Sequence, residues 1–339
     1  MLPERRNTVG RFTCKVLSYH RVLPADLLSG QLTQRSLLVP AESFRRHMMY
    51  IRKNYRVVTA DELARALHSG KGFSQPSCAV TFDDGWRDNY LYAFPILKEF
   101  AIPATLFVAV NHIETGQDFW PERLARLLSS IESSNPNLDL LKEMLPIKAN
   151  AHSTPAEFAN LATISLKDKP LARIEQILAQ LEAMPGLRRN HIRTERPISY
   201  WHELEEMIES GLVTVGSHTL SHVILPREDD KVRTEEVVRS REIIEEKLRR
   251  PVLHFAYPNG EFDDATESLV KDSGYRSAFT CLNGVNGATT SPYRIRRIHI
   301  FDPQDTGQNG FSEIQFSIRI SNCYQYIKRC RNLLTRRRY

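Results

Sequence analysis

The chain of 339 residues lacks several things. Its five cysteines, Cys14, Cys78, Cys281, Cys323 and Cys330, are odd in number and include no Cys-x-x-Cys spacing, which argues against a disulfide framework or a thiolate metal site. No apolar run reaches the roughly 18 residues that a membrane-spanning helix needs. The N-terminal Met-Leu-Pro-Glu-Arg-Arg-Asn-Thr has no apolar core of signal-peptide length, so a cytoplasmic location is expected. A dense basic face and any nucleic-acid-binding motif are also missing, so no nucleic-acid partner is expected. The net charge of +6 lies partly in Lys328, Arg329, Arg331 and Arg336 to Arg338 at the C-terminus. That cluster reads as a solvated tail, with weak peripheral attraction to an anionic lipid surface as the functional alternative.

What is present is an alternation of short apolar runs and amphipathic stretches, the pattern of a βα-repeating fold. Strands are predicted over 13–19, 78–82, 105–110, 213–216, 253–257, 277–281 and 293–300, and helices over 41–53, 61–68, 86–99, 202–210, 234–249 and 265–273. From about 111 to 197 the alternation stops. There Leu171, Ile174, Leu178 and Leu181 recur at helical spacing and Pro185-Gly186 closes the run, so this segment is expected to be a helical insertion, either a cap or a wall over a groove. Trp120 and Trp201 lie near its edges.

Two motifs carry chemistry. Thr81-Phe82-Asp83-Asp84-Gly85 places adjacent carboxylates at the end of a buried strand, where active sites of α/β barrels are built. Strand alternation would send the two side chains to opposite sides, leaving one for a metal and one for a proton. Alone, the pair reads as well as a helix cap before Trp86. His218-Thr219-Leu220-Ser221-His222 ends another strand, and its spacing brings two ring nitrogens together if the segment turns helically. No Glu adjoins the first His as in helical metalloprotease sites, so the base must come from elsewhere, and Asp83 is the obvious donor. A third segment, Phe255-Ala256-Tyr257-Pro258-Asn259-Gly260, forms a sharp turn whose backbone N–H groups can stabilise an oxyanion.

The order of these motifs resembles the polysaccharide deacetylases of carbohydrate esterase family 4, the chitooligosaccharide-deacetylase-like group. The first two match that family's motifs, and Val16-Leu17-Ser18-Tyr19-His20-Arg21-Val22 is similar to its opening strand. The resemblance implies a distorted (β/α)7 barrel with a helical insertion, a catalytic domain over 1–300 and a basic extension over 301–339. It implies a divalent metal, usually zinc, on Asp84, His218 and His222, with Asp83 as general base and His299 as the acid that protonates the leaving amine. Asn259, with Tyr257, Pro258 and Arg296, is expected to serve the oxyanion and the substrate. The implied partner is an acetylated glycan that loses its N-acetyl groups as acetate. The alternatives are an O-acetyl esterase, another non-peptide amide hydrolase, or a glycan-binding protein. One departure stands out: many members carry an Arg where this chain has Ala256, a charge that Arg294, Arg296 or Arg297 is placed to restore. His20, Trp86 and Trp201 are further candidates, for the site and for stacking on sugar rings, against ordinary structural roles.

Overall fold

The computed structural model describes residues 12–29, 31–129, 141, 143–145, 155–184, 196–301 and 312–321. Ten strands occur among them: β1 (Cys14–Tyr19), β2 (Arg21–Leu23), β3 (Leu38–Pro40), β4 (Arg56–Val57), β5 (Ser77–Phe82), β6 (Ala104–Val108), β7 (Val213–Ser217), β8 (His254–Ala256), β9 (Ser277–Phe279) and β10 (Ile298–His299). Eight form one parallel sheet in the order β10-β1-β5-β6-β7-β8-β9, with β4 beside β5, while β2 and β3 pair separately. The sheet curls until Ile295, just before β10, bridges Phe279 of β9. Its ends therefore approach each other, and the architecture is the distorted (β/α)7 barrel of the polysaccharide-deacetylase type.

Strand alternation separates two cores. Val16, Ala79, Phe107, Ala256, Phe279 and Ile295, from strands spread around the curl, meet in one buried cluster inside it. The alternate residues Leu17, Tyr19, Val80, Phe82, Leu106 and Val215 face outward into the larger core under the helices. With both faces covered, β5 is buried throughout, which is why it reads as a continuous apolar run. Gly216 lies where β7 passes Phe107: a Cβ there would stand 2.6 Å from the Phe107 ring and 2.8 Å from the His254 carbonyl. Gly216→Ala is accordingly expected to cost about 1–3 kcal/mol of stability by overpacking. An unchanged denaturation midpoint would show that the barrel wall yields more readily than this contact implies.

The helices close most predicted connections, with adjusted boundaries. Ala60–His68 begins in a Thr59/Glu62 capping box, and Asp229 and Asp263 cap Asp230–Leu248 and Asp264–Asp272. The predicted helix over 86–99 opens instead as a π-turn at Asn89–Ala93 and becomes α-helical over Phe94–Phe100; Pro95, lacking an N–H, sits at that junction. The predicted strand 293–300 shortens to β10. The helices Trp120–Leu128, Pro155–Leu166 and Leu171–Glu182 gather around a core of their own, including Leu124, Leu128, Phe158, Ala162 and Leu178. Pro185-Gly186 lies outside the described residues. A short helix, Glu313–Ile320, returns to the barrel, where Phe316 stacks on His47 at 4.0 Å between centroids. The basic cluster from Lys328 onward lies outside the described residues. No helix among the described residues is long and apolar enough to cross a membrane.

Candidate active site

All the chemistry-bearing residues stand at the C-terminal ends of parallel strands. Asp83 continues β5: its N–H donates to the Tyr19 carbonyl at 3.1 Å, and its side chain faces inward with Ala79 and Thr81. Asp84 then leaves the strand in the left-handed region, φ 76°, followed by Gly85 at φ 77°. It is thus a left-handed turn, and not strand alternation, that parts the two carboxylates. Gly85 is required twice over, because a Cβ would also stand 2.9 Å from Ile113. Asp84 caps no helix. Its Oδ2 accepts the Trp86 indole N–H at 2.9 Å, and its buried Oδ1 has no hydrogen-bond partner.

The two histidines come together without a helix. His218 leaves β7 with its N–H on the Val108 carbonyl at 2.9 Å, and the loop then turns through Thr219 at φ 67° and His222 at φ 57°. Glu236 holds this loop by accepting the N–H groups of Leu220 at 2.8 Å and Ser221 at 2.9 Å. The expected helical turn is therefore replaced by a pinned loop that brings the rings within 4.8 Å, centroid to centroid. His218 Nδ1 lies 2.7 Å from the Ala256 carbonyl, which assigns the proton to Nδ1 and leaves the Nε2 lone pair free. Asp84 Oδ1 is 3.6 Å from His218 Nε2 and 3.3 Å from His222 Nε2. Burial pushes the His218 imidazole down to about 4, so its neutral, ligating form is favoured.

This trio fits a divalent cation. Its three ligand atoms lie within 4.8 Å of one another, one is a buried carboxylate oxygen otherwise unsatisfied, and one histidine is already oriented by a backbone carbonyl.

Beside it, Asp83 is 2 % exposed, and its Oδ1 accepts from Arg297 Nη1 at 2.7 Å. Arg297 is itself buried; its Nε donates to the Thr280 carbonyl at 2.9 Å and its guanidinium lies against Phe107. Burial alone would raise the Asp83 carboxyl, but Arg297, with His218 and His20, outweighs it and holds the group below the ordinary carboxylate range. His20 Nε2 lies 3.8 Å from Asp83 Oδ2. The charge absent at Ala256 is thus supplied across the barrel by Arg297. Arg296, chosen from sequence, is exposed and donates to the Asn283 carbonyl at 3.4 Å, and Arg294 pairs with Asp264 and Glu267 on the surface. Adjacent residues alternate in this segment, so only one of the neighbouring arginines can face inward.

The third motif is divided. Asn259 lines the site cavity with φ 56°, and its Oδ1 accepts from Lys167 Nζ at 2.8 Å. Tyr257 instead points into the core, stacked on Phe262, and Pro258 is buried; neither lines the cavity. His299 does line it. Its Nε2 lies 2.8 Å from the Ser36 carbonyl, its ring meets His20 edge-on at 5.1 Å, and burial, with the charge of His20, lowers it to about 4. The cavity holds about 390 Å³, and Trp86, Phe119, Trp120, Glu122 and Lys167 are among the residues that wall it. The helical segment therefore forms part of the groove. Trp201 stands elsewhere, its indole donating to Glu114 at 2.9 Å. Glu122, Lys167 and Phe119 lie in no motif; only the folding of the insertion over the barrel brings them in.

A barrel carrying two carboxylates and two histidines at one rim is the frame of a hydrolase. The family model for polysaccharide deacetylase matches residues 70–194 and 168–278, and the chain belongs to that family, a family of metal-dependent deacetylases. The protein YxkH of Bacillus subtilis is 20% identical over 286 residues, covering 84% of this chain and 70% of the relative. The poly-beta-1,6-N-acetyl-D-glucosamine N-deacetylase of Staphylococcus epidermidis is 33% identical over 105 residues, 29% of this chain and 36% of that protein. Among solved structures, the Streptococcus pyogenes deacetylase PplD in complex with acetate shares the fold at a TM-score of 0.57 with 17% identity, covering 85% of this chain and 92% of that one.

Proposed function

We propose that this deacetylase removes N-acetyl groups from amino-sugar units of a glycan, releasing acetate and leaving a free amine. The observation that carries this reading is the convergence of Asp84 Oδ1 and two histidine Nε2 atoms beside a separate carboxylate locked to Arg297. The S. epidermidis relative, named as an N-deacetylase of an N-acetylglucosamine polymer, supports the choice of bond.

Asp84, His218 and His222 would hold the metal, with zinc suiting one carboxylate and two imidazoles. When bound, such an ion supplies Lewis-acid polarisation of a carbonyl and acidifies water. The chain's own residues do the rest. Asp83, kept ionised by Arg297, takes the proton of the attacking water. Trp86 fixes Asp84 through Oδ2 and so aims Oδ1 at the centre. Gly260 and Glu261 spend their N–H groups inside the turn, so it is the Asn259 backbone N–H that is assigned to the developing oxyanion, and Lys167 holds that turn through the Asn259 side chain. His299, in ring contact with His20 and kept neutral by burial, is assigned to pass a proton to the leaving amine, taking that proton up during turnover. The catalytic unit is read as 1–300, with the helical insertion as one wall of its groove.

Acetate release from N-acetylated glucosamine oligosaccharides should fall to background after chelation and return with zinc. Activity that survives in protein shown by elemental analysis to be metal-free would overturn the reading.

A further inference from the structure

The cavity over Asp83 and Asp84 continues beyond the site. A second cavity of about 710 Å³ lies between the loop around Gln31–Ser36 and the helices Trp120–Leu128 and Pro155–Leu166. Gln34, Pro121, Glu122 and Thr163 line both cavities, which therefore meet at a common seam. Polar side chains that can meet sugar hydroxyls, among them Thr33, Ser36, Asn160 and Thr163, stand in a lining that otherwise includes Leu32, Pro121, Ala125 and Ala159. It is also braced. Arg21, ion-paired with Asp88 at 2.7 Å and packed on Trp86, donates to Gln31 at 2.7 Å and Thr33 at 3.0 Å, while Gln34 Nε2 donates to Asn160 Oδ1 at 3.2 Å.

Glu122 stands at the seam, only 6 % exposed. No cation among the described residues lies within ion-pair distance of its carboxylate. Burial, then the charge of Asp84, raises the group to about 7. A buried carboxylate is costly unless paired, and the pairing charge can come from a ligand. The product of amide hydrolysis on an amino sugar is a primary amine, a cation when protonated, and the nearest such amine in a partly processed glycan is that of a neighbouring unit.

We propose that Glu122 receives the free amino group of an already deacetylated sugar seated in the second cavity, so that the preferred substrate carries a glucosamine unit beside the acetylated one. This specificity rests on the amino-sugar reading above. It makes each deacetylation favour the next on the same chain.

The test is calorimetric binding to the zinc-loaded full chain of three disaccharides: glucosamine with both amines free, its diacetylated form, and the glucose disaccharide with hydroxyls in place of amines. The free-amine form should bind about tenfold or more tightly than either of the others, the scale of a charge-assisted hydrogen bond. Glu122→Gln should erase the preference while leaving binding of the diacetylated form within about twofold, since it removes only charge. Equal binding of the amine and hydroxyl disaccharides to the wild type overturns the proposal without any variant, should Glu122→Gln fail to fold. An unchanged preference in a folded Glu122→Gln overturns it as well. Absence of acetate release from every glycan would instead overturn the reaction assignment, which this binding comparison does not test.

Discussion

Asp83→Asn is expected to lower kcat by about 10²–10⁴-fold while zinc content stays at the wild-type level. The substitution keeps the shape of the side chain, and the amide oxygen can still accept the Arg297 bond that the carboxylate accepts at 2.7 Å. It removes the ability to take a proton. With Asp84, His218 and His222 as the proposed metal trio, a role for Asp83 as base predicts a loss in turnover without a loss of metal. Asp84→Asn is the informative contrast. Asp84 Oδ1 is the buried oxygen with no other partner, and weakening it as a ligand should lower metal content and activity together. Near-wild-type kcat in Asp83→Asn would remove Asp83 from the chemistry. A loss that merely tracked metal content would make it a support for the trio instead.

The relation of sequence to site is uneven, and the reasons are local. The strand carrying Asp83 was legible because β5 is buried on both faces and ends at an acid pair followed by glycine. The histidine pair was legible from its spacing, although the expected mechanism of approach differs: Thr219 and His222 adopt left-handed backbone, and Glu236, 14 residues beyond His222, pins the loop. Arg297 was recognisable as one of three nearby arginines. Choosing among them requires the inward and outward phase of an irregular segment that has strand pairing only at Ile298–His299. Tyr257 was misplaced for a related reason, since β8 ends at Ala256 and the side chain after it turns into the outer core. β2, β3 and β4 are two or three residues long, too short for a period to show. Glu122 and Lys167 had no local signal at all. Glu122 is an unremarkable residue of an amphipathic helix and Lys167 a turn residue just past the end of Pro155–Leu166, until the insertion packs over the strand ends and brings Lys167 to Asn259, 92 residues away.

Arg297→Met should destabilise the fold by about 3–5 kcal/mol, because it leaves Asp83 as a buried charge without its principal partner. Arg297 and Asp83 are each only 2 % exposed, so water screens neither. The pH dependence identifies the cause. In the wild type, burial raises the Asp83 carboxyl, and Arg297, helped by His218 and His20, more than reverses it, so the folded-state pKa lies below the unfolded one. Its favourable contribution is therefore present above the unfolded carboxylate value of about 4 and is lost as pH falls through the lower folded value. In Arg297→Met, burial loses its largest opponent, and the folded-state pKa of Asp83 moves upward. Ionised Asp83 is then less favourable at neutral pH than in the wild type, and that difference shrinks as the pH falls and the carboxyl protonates. The stability gap between wild type and variant should be widest near neutrality and should close in acid, as measured by denaturant unfolding across that range. Methionine keeps most of the side-chain volume against Phe107, so a lost packing contact would instead give a gap independent of pH. A constant gap would mean that Arg297 fills the barrel without setting the state of the base.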